Sequence, residues 1–277
     1  MQTIVLPNGL EVACLNTLNT LDLYAEIFTH RVYGRTGVEI EDNDLIFDVG
    51  ANIGLFSLWA RSRNKTCRLR CFEPSADTYA ALRYNVVGAS CIRAAVSDHC
   101  GTVSLTHYPR LPELSTIRPG DFKKEEKADW IRYLRRRIDG GFFLRWLPGL
   151  VKGWLAELAR TWLFRSEVTV VPCLTLEAAL KGLEPGDTVG LLKVDVEKSE
   201  LLVLQGIGNG WDRIRQIIVE SYGDEKLVKE IDDLLKSKGF MTTWHDNPMF
   251  PELRTPLVFA RRPALQCGGG PGKDSRV

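Results

Sequence analysis

The chain has 277 residues, 44% hydrophobic and 26% charged, the ordinary balance of a soluble globular protein with room for one large α/β domain or two small ones. Its 36 Lys/Arg against 35 Asp/Glu leave a formal charge of +1, so no global field draws it to nucleic acid or an anionic membrane, and no nucleic-acid partner is expected.

Residues 2–14 read as a short hairpin, with Ile4, Val5, Leu10, Val12 and Ala13 around the turn signal Pro7-Asn8-Gly9. A helical stretch over roughly 19–31 completes an N-terminal extension of about 40 residues. From 41 to 262 the pattern repeats as apolar strand, loop and amphipathic helix. The first strand, Leu45-Ile46-Phe47, runs into Asp48-Val49-Gly50, and its helix carries Leu55, Phe56, Leu58 and Trp59. The second ends at Arg70-Cys71-Phe72-Glu73, followed by a helix from Ser75 to about Asn85. A third, near 90–95, ends before Ser97-Asp98, and 102–107 look like an added strand. The regular pattern returns with a strand at 168–171 and a helix at 175–181, then strands at 190–194 and 214–219. A helix over 225–237 has the 3.6-residue apolar period and stops at Gly239. Strands near 240–244 and 256–260 close the set as an antiparallel pair. Such alternation calls for a mostly parallel sheet with helices on both faces.

Residues 109–165 stand outside that alternation. They hold thirteen Lys/Arg against seven Asp/Glu and four of the seven tryptophans. They read as a helical insertion in which Val151, Trp154, Leu155, Leu158 and Trp162 share one face. The glycine-rich stretch from 263 reads as a disordered tail or a linker. The seven cysteines are odd in number and lack paired CxxC sets, which argues against a disulfide framework or a zinc site. No basic-then-apolar leader is visible in MQTIVLPNGLEV, and the expected setting is reducing and cytoplasmic.

The central signal is Phe47-Asp48-Val49-Gly50-Ala51-Asn52-Ile53-Gly54, between strand and helix. Glycines there permit a tight turn and close backbone approach to a ligand, which in a parallel sheet binds outside the strand carboxyl ends. The spacing is GxxxG. A dinucleotide fold wants GxGxxG and a triphosphatase wants Lys-Ser/Thr after its loop, so pyrophosphate and triphosphate ligands are disfavoured. Glu73, 25 residues after Asp48, can accept from both ribose hydroxyls of a nucleoside. Asp98 can accept from an adenine amino group. Three acids and two glycines at successive strand ends describe a nucleoside pocket without a phosphate cradle, a chemistry that S-adenosylmethionine matches.

At this point the sequence resembles the FkbM family of methyltransferases. The stretches that carry the resemblance are IFDVGANIGLFSLWA (46–60), CFEPSADTYAALRYNV (71–86), AAVSD (94–98), LLKVDVEKSELLVLQGI (191–207) and IIVESY (217–222). The resemblance implies a Rossmann-like class I methyltransferase fold with a seven-stranded sheet. It also implies methyl transfer from S-adenosylmethionine to a hydroxyl, often on a sugar or polyketide-type metabolite. Carried over by position, Asp48, Gly50, Asn52, Gly54, Glu73 and Asp98 would bind the cofactor. The family commonly has glycine where this chain has Lys198, and the 109–165 insertion is larger than a minimal member needs.

An alcohol is a weak nucleophile, so a base within hydrogen-bond reach helps. Asp195, ending the fourth strand of the alternation, is the first candidate, and Glu220, ending the fifth, lies next to it in the expected sheet order. The competing reading of Asp195 is a helix N-cap. Glu197 and Glu200 follow at a helix start, and Lys193 is placed to pair with Asp195 or Glu220. No metal is assigned. His107 and Ser115-Thr116 are weaker candidates for the acceptor side. The insertion reads first as a lid over the acceptor, then as an elaborated surface, and last as a contact for a membrane or an acidic carrier domain. The rival functions are an N-methyltransferase, a nicotinamide oxidoreductase and a non-catalytic nucleoside-binding module.

Overall fold

The computed structural model describes residues 1–118, 148–221, 225–247, 249 and 255–263. Most of the insertion and the tail from 264 therefore lie outside the described residues. The chain opens with the expected hairpin, β1 (Gln2–Val5) against β2 (Glu11–Cys14), whose inner residues Val12, Ala13 and Cys14 are buried. α1 (Thr17–Tyr24), capped by the Asn16 side chain on the Asn19 amide, continues into a π-turn over Ala25–Thr29.

The main sheet contains β3 (Leu45–Val49), β4 (Arg68–Phe72), β5 (Ser90–Ile92), β9 (Val189–Val194), β10 (Ile214–Glu220), β11 (Met241–His245) and β12 (Leu257–Arg261). Their spatial order is β11-β12-β10-β9-β3-β4-β5. The pairs from β10 to β5 are parallel, while β12 runs antiparallel to both neighbours. This is the Rossmann-like, mostly parallel seven-stranded α/β fold expected from the repeating pattern.

Alternation along each strand builds two cores. Ile46, Leu69, Leu191 and Ile218 face α2 (Leu55–Arg63) and α3 (Ala76–Asn85), meeting Phe56, Trp59, Ala60 and Leu82. Phe47, Val49, Leu192, Val194 and Val219 face the other side. There they meet α5 (Leu176–Lys181), α6 (Glu200–Gln205) and α7 (Glu225–Ser237) through Leu180, Val203, Leu204, Ile231 and Leu235. Strands covered on both faces read as nearly continuous apolar runs for this reason. The N-terminal hairpin docks on α3, where Asn85 pairs with both backbone groups of Ala13.

The third strand departs from expectation. It breaks after Ile92, and β6 (Ala95–Val96) joins a separate three-stranded sheet, order β6-β8-β7, with β7 (Gly101–His107) and β8 (Glu167–Leu174). The strand expected at 168–171 in the main alternation belongs to this second sheet. Val168 and Val170 face solvent while Val171 and Cys173 are buried, the one-sided pattern of a strand covered on a single face. α4 (Gly149–Leu163) precedes β8, and its Val151, Trp154, Leu158 and Trp162 are exposed. No helix among the described residues is long and apolar enough to cross a membrane.

Candidate active site

A cavity of about 350 Å³ opens at the carboxyl ends of β3, β4, β9 and β10, where a parallel sheet presents its loops. Its floor is the loop after β3. The Gly50 and Ala51 amides both donate to the Phe72 carbonyl at 3.0 Å, tying this loop to the end of β4. Gly50 has φ +73, and a Cβ there would lie 1.7 Å from the Asp195 carbonyl oxygen. The loop after β9 thus passes directly over position 50, and only glycine leaves it room. Asn52 is also left-handed, φ 50, and turns its amide onto Glu73 Oε2 at 3.0 Å.

Glu73 lines the cavity and is only 7% exposed. Its second oxygen accepts from the Ser75 amide at 2.9 Å. Burial pushes its carboxyl up to about 7, opposed by these two amide donors and by Lys193. Beside it, Phe72, Pro74, Ala94, Ala95 and Val96 give an apolar wall.

At the end of β9, Lys193 is buried and threads a polar knot. Its Nζ donates to the Gly50 carbonyl at 2.8 Å and lies 3.1 Å from Asp195 and 3.4 Å from Asp48. Burial opposes its charge, but Asp195 and Asp48 outweigh that and raise its pKa. Asp195 lines the cavity with its side chain 32% exposed. It does not cap a helix; α6 begins after Ser199. Glu220 lines the cavity from β10 and accepts from the Tyr33 hydroxyl at 3.0 Å. Burial first, then Asp195 and Glu26, pushes its carboxyl well above the usual range.

Between these strands, Glu197 and Lys198 both have positive φ, 47 and 69. The left-handed backbone at 198 gives the physical reason for the glycine that the family resemblance led one to expect there. Glu197 Oε2 and Ser199 Oγ have no hydrogen-bond partner among the described residues, and both residues line the cavity. Glu200 is buried, accepts the Lys198 amide and is absent from the wall, a structural position at the start of α6.

Three expected cofactor residues lie elsewhere. Asp48 is wholly buried behind the loop, held by Ser57 Oγ at 2.7 Å and by Lys193, and does not reach the cavity. It acts on the site from behind, by pairing with Lys193 and by repulsion on Glu73. Gly54 is also off the wall; a Cβ there would meet Val86 at 2.4 Å and Leu82 at 2.9 Å, so its role is to seat α2 against α3. Asp98 sits beyond β6 in the second sheet, paired with His99 at 2.8 Å and not on the cavity. Gly50, Asn52, Glu73, Asp195 and Glu220 are brought together as expected.

On the acceptor side, Ser115 lines the cavity and His107 binds its hydroxyl at 3.0 Å from behind, while Thr116 donates to the Glu197 carbonyl at 2.6 Å. Among the described residues of the insertion, those that line the cavity fall between Leu111 and Ile117, while the aromatic residues of α4 do not line it; the expected lid lies mostly outside the described residues. Glu26, Tyr33, Glu113 and Thr255 also line the cavity. No motif in the sequence pointed to them.

Residues 48–241 match the methyltransferase FkbM domain. The chain belongs to the FkbM methyltransferase family. It is 36% identical over 270 residues to the 31-O-demethyl-FK506 methyltransferase FkbM of Streptomyces tacrolimicus, spanning 95% of this chain and 98% of that one. It is 30% identical over 254 residues to methyltransferase sdnD of Sordaria araneosa, covering 87% and 89% of the two chains. A third relative, methyltransferase 1 of Beauveria bassiana, is 28% identical over 251 residues, 87% of this chain and 89% of its own. This FkbM-family chain is an S-adenosylmethionine-dependent methyltransferase. The cavity suits that donor: an apolar wall, a carboxyl at the end of β4 and a glycine-floored loop fit a nucleoside, and orphaned polar atoms at Glu197 and Ser199 await a ligand.

Proposed function

We propose that this enzyme methylates a hydroxyl oxygen of a small metabolite of sugar or polyketide type, with Asp195 as the group that takes the hydroxyl proton. When bound, S-adenosylmethionine supplies a methyl group on a sulfonium, open to in-line attack by an oxygen. The chain's own part is then to bind, orient and move one proton. Glu73 would accept from the ribose hydroxyls, and the Gly50–Asn52 backbone with the apolar wall from Phe72 to Val96 would hold the rest of the nucleoside.

The observation that carries the reading is the position of Asp195. It is the part-exposed carboxylate at the end of β9, fixed 3.1 Å from the Lys193 ammonium, on the same wall as Glu73 and Glu220. Lys193 holds the carboxylate in place, so that it meets the acceptor in one orientation. Glu220, buried and pushed upward, suits a neutral hydrogen-bonding partner better than a proton acceptor. The name of the Streptomyces tacrolimicus relative, a 31-O-demethyl-FK506 methyltransferase, supports an oxygen acceptor. The test is transfer of a labelled methyl group to a panel of metabolites matched as alcohol and amine. Label on the alcohols, lost in Asp195→Asn, is expected; label on the amines alone would overturn the reading.

A further inference from the structure

The family match runs from residue 48 to 241, yet the cavity is completed from both sides of it. Glu26 and Tyr33 enter from the N-terminal segment and Thr255 from just before β12. Glu26 is 4% exposed, and its Oε1 accepts from Asn247 Nδ2. Glu220 uses Oε2 to accept from Tyr33. Among the described residues the second oxygen of each carboxyl has no hydrogen-bond partner, and neither carboxyl is in an ion pair, since Lys193 is engaged by Asp48 and Asp195. Two carboxyls in one cavity thus each keep one oxygen for whatever enters.

An independent sign of a ligand lies beside them. Thr255 is 8% exposed, lines the same cavity, and its hydroxyl has no partner among the described residues. A buried hydroxyl without a partner is costly to keep, and one set in a cavity wall finds that partner in what the cavity holds. Leu23, Ile27 and Leu111 complete this end with apolar surface, suited to a carbon frame carrying few polar groups.

We propose that Glu26 and Glu220 form an acceptor subsite gripping two hydroxyls of one uncharged acceptor, the one that is methylated and its neighbour, with Tyr33 as the positioning residue for Glu220. The proposal rests on the reading of the chain as a hydroxyl methyltransferase. Burial pushes Glu26 up to about 7 and Glu220 well above the usual range. Near neutrality both can donate as well as accept, which is what pairing with a hydroxyl requires. Asp22, Glu113, Asp195 and Glu197 line the same region with Lys193 as the cation among the described lining residues, so an anionic acceptor meets repulsion.

The test uses the full chain saturated with S-adenosylhomocysteine and titrated, by ligand-observed NMR, with trans-cyclohexane-1,2-diol, cyclohexanol and cyclohexanecarboxylate. The diol should bind about tenfold tighter than the mono-ol, the worth of roughly one added buried hydrogen bond, and the carboxylate should not bind. Glu26→Ala should bring the diol down to the level of the mono-ol. Tyr33→Phe should weaken diol and mono-ol alike, and neither variant should alter S-adenosylhomocysteine affinity, a pattern that general loss of structure does not produce. Equal wild-type binding of diol and mono-ol overturns the subsite, as does a Glu26→Ala chain that keeps the diol preference or a wild-type chain that takes none of the three probes. Should Glu26→Ala not fold, the wild-type ranking and Tyr33→Phe still decide the matter. Failure to bind S-adenosylhomocysteine at all would instead overturn the methyltransferase reading beneath it.

Discussion

Replacing Glu73 by Gln separates what this carboxyl costs the empty protein from what it gives the donor. Burial moves the group from 4.5 to about 7, equivalent to about 3 kcal/mol of charging cost at 1.36 kcal/mol per pKa unit. The sign follows from proton linkage. Between pH 4.5 and 7 the folded chain binds this proton more tightly than the unfolded one, so the carboxyl's contribution to stability falls as pH rises through that window and is constant above it. Gln cannot titrate, but its NH2 faces one of the two amides that Glu73 accepts from, Asn52 or Ser75, a loss of about 1–3 kcal/mol. That loss is independent of pH. In denaturant unfolding at pH 5, 6, 7 and 8 without donor, stability of the variant relative to wild type should therefore rise by up to about 3 kcal/mol across the series, whatever its starting offset. Donor affinity should move the opposite way. Wild type should bind S-adenosylmethionine more weakly as pH falls below about 7, while Glu73→Gln is weaker and less steep by the one proton that Glu73 contributes, up to about tenfold per pH unit. A stability difference that does not change with pH would refute the argument, because the carboxyl would then titrate alike in folded and unfolded chains.

Asp195→Asn should lower the rate of methyl transfer by about 10²–10⁴-fold, the usual worth of a positioned base, with donor affinity by calorimetry near wild type; undiminished label transfer would remove Asp195 from the proton path. Lys193→Met leaves Asp48 buried with no cation and should cost about 3–5 kcal/mol in chemical denaturation. Asp48→Asn in the same chain should return much of it, and no recovery would break the proposed pairing. Gly50→Ala forces a side chain into φ +73 and against the Asp195 carbonyl. Its cost should reach about 3 kcal/mol or more, with donor binding lost in the titration. A normal melting temperature and normal affinity would mean that the two loops do not meet.

What the sequence reveals and what it hides have one physical origin. The β3 loop was legible because glycines at 50 and 54, set between an apolar strand and an amphipathic helix, mark a tight turn at a strand's carboxyl end. Glu73 was legible because it closes the next strand. Asp48 was legible as a strand-end acid but not as a buried one. It shares a strand face with Ile46, which packs under α2, and Ser57 of that helix meets it there. Period-two alternation tells which residues share a face, not which helix covers it. Asp98 ends the third strand of the pattern, but that strand does not stay in the main sheet: the chain leaves β5 for a second sheet, which carries Asp98 away from the cavity. Glu26 and Tyr33 carry no motif at all. In a stretch such as 17–33 a carboxyl reads as solvent-facing, and only the docking of that segment over the strand ends turns it inward.

The charge of the wall binds these parts together. Asp22, Glu26, Glu73, Glu113, Asp195, Glu197 and Glu220 line the cavity with Lys193 as the described lining cation. In a low-dielectric cleft so many carboxyls cannot all be ionised, and burial first of all pushes Glu26, Glu73 and Glu113 each up to about 7. The empty wall is therefore partly protonated and poised to release protons when a cation enters. A sulfonium is such a cation, and methyl transfer removes its charge. Such a wall would hold a charged donor more tightly than its neutral product. Lys193 sets the limit of this arrangement. By pairing with both Asp195 and Asp48 it holds the Asp195 side chain in one place on the wall, facing the acceptor.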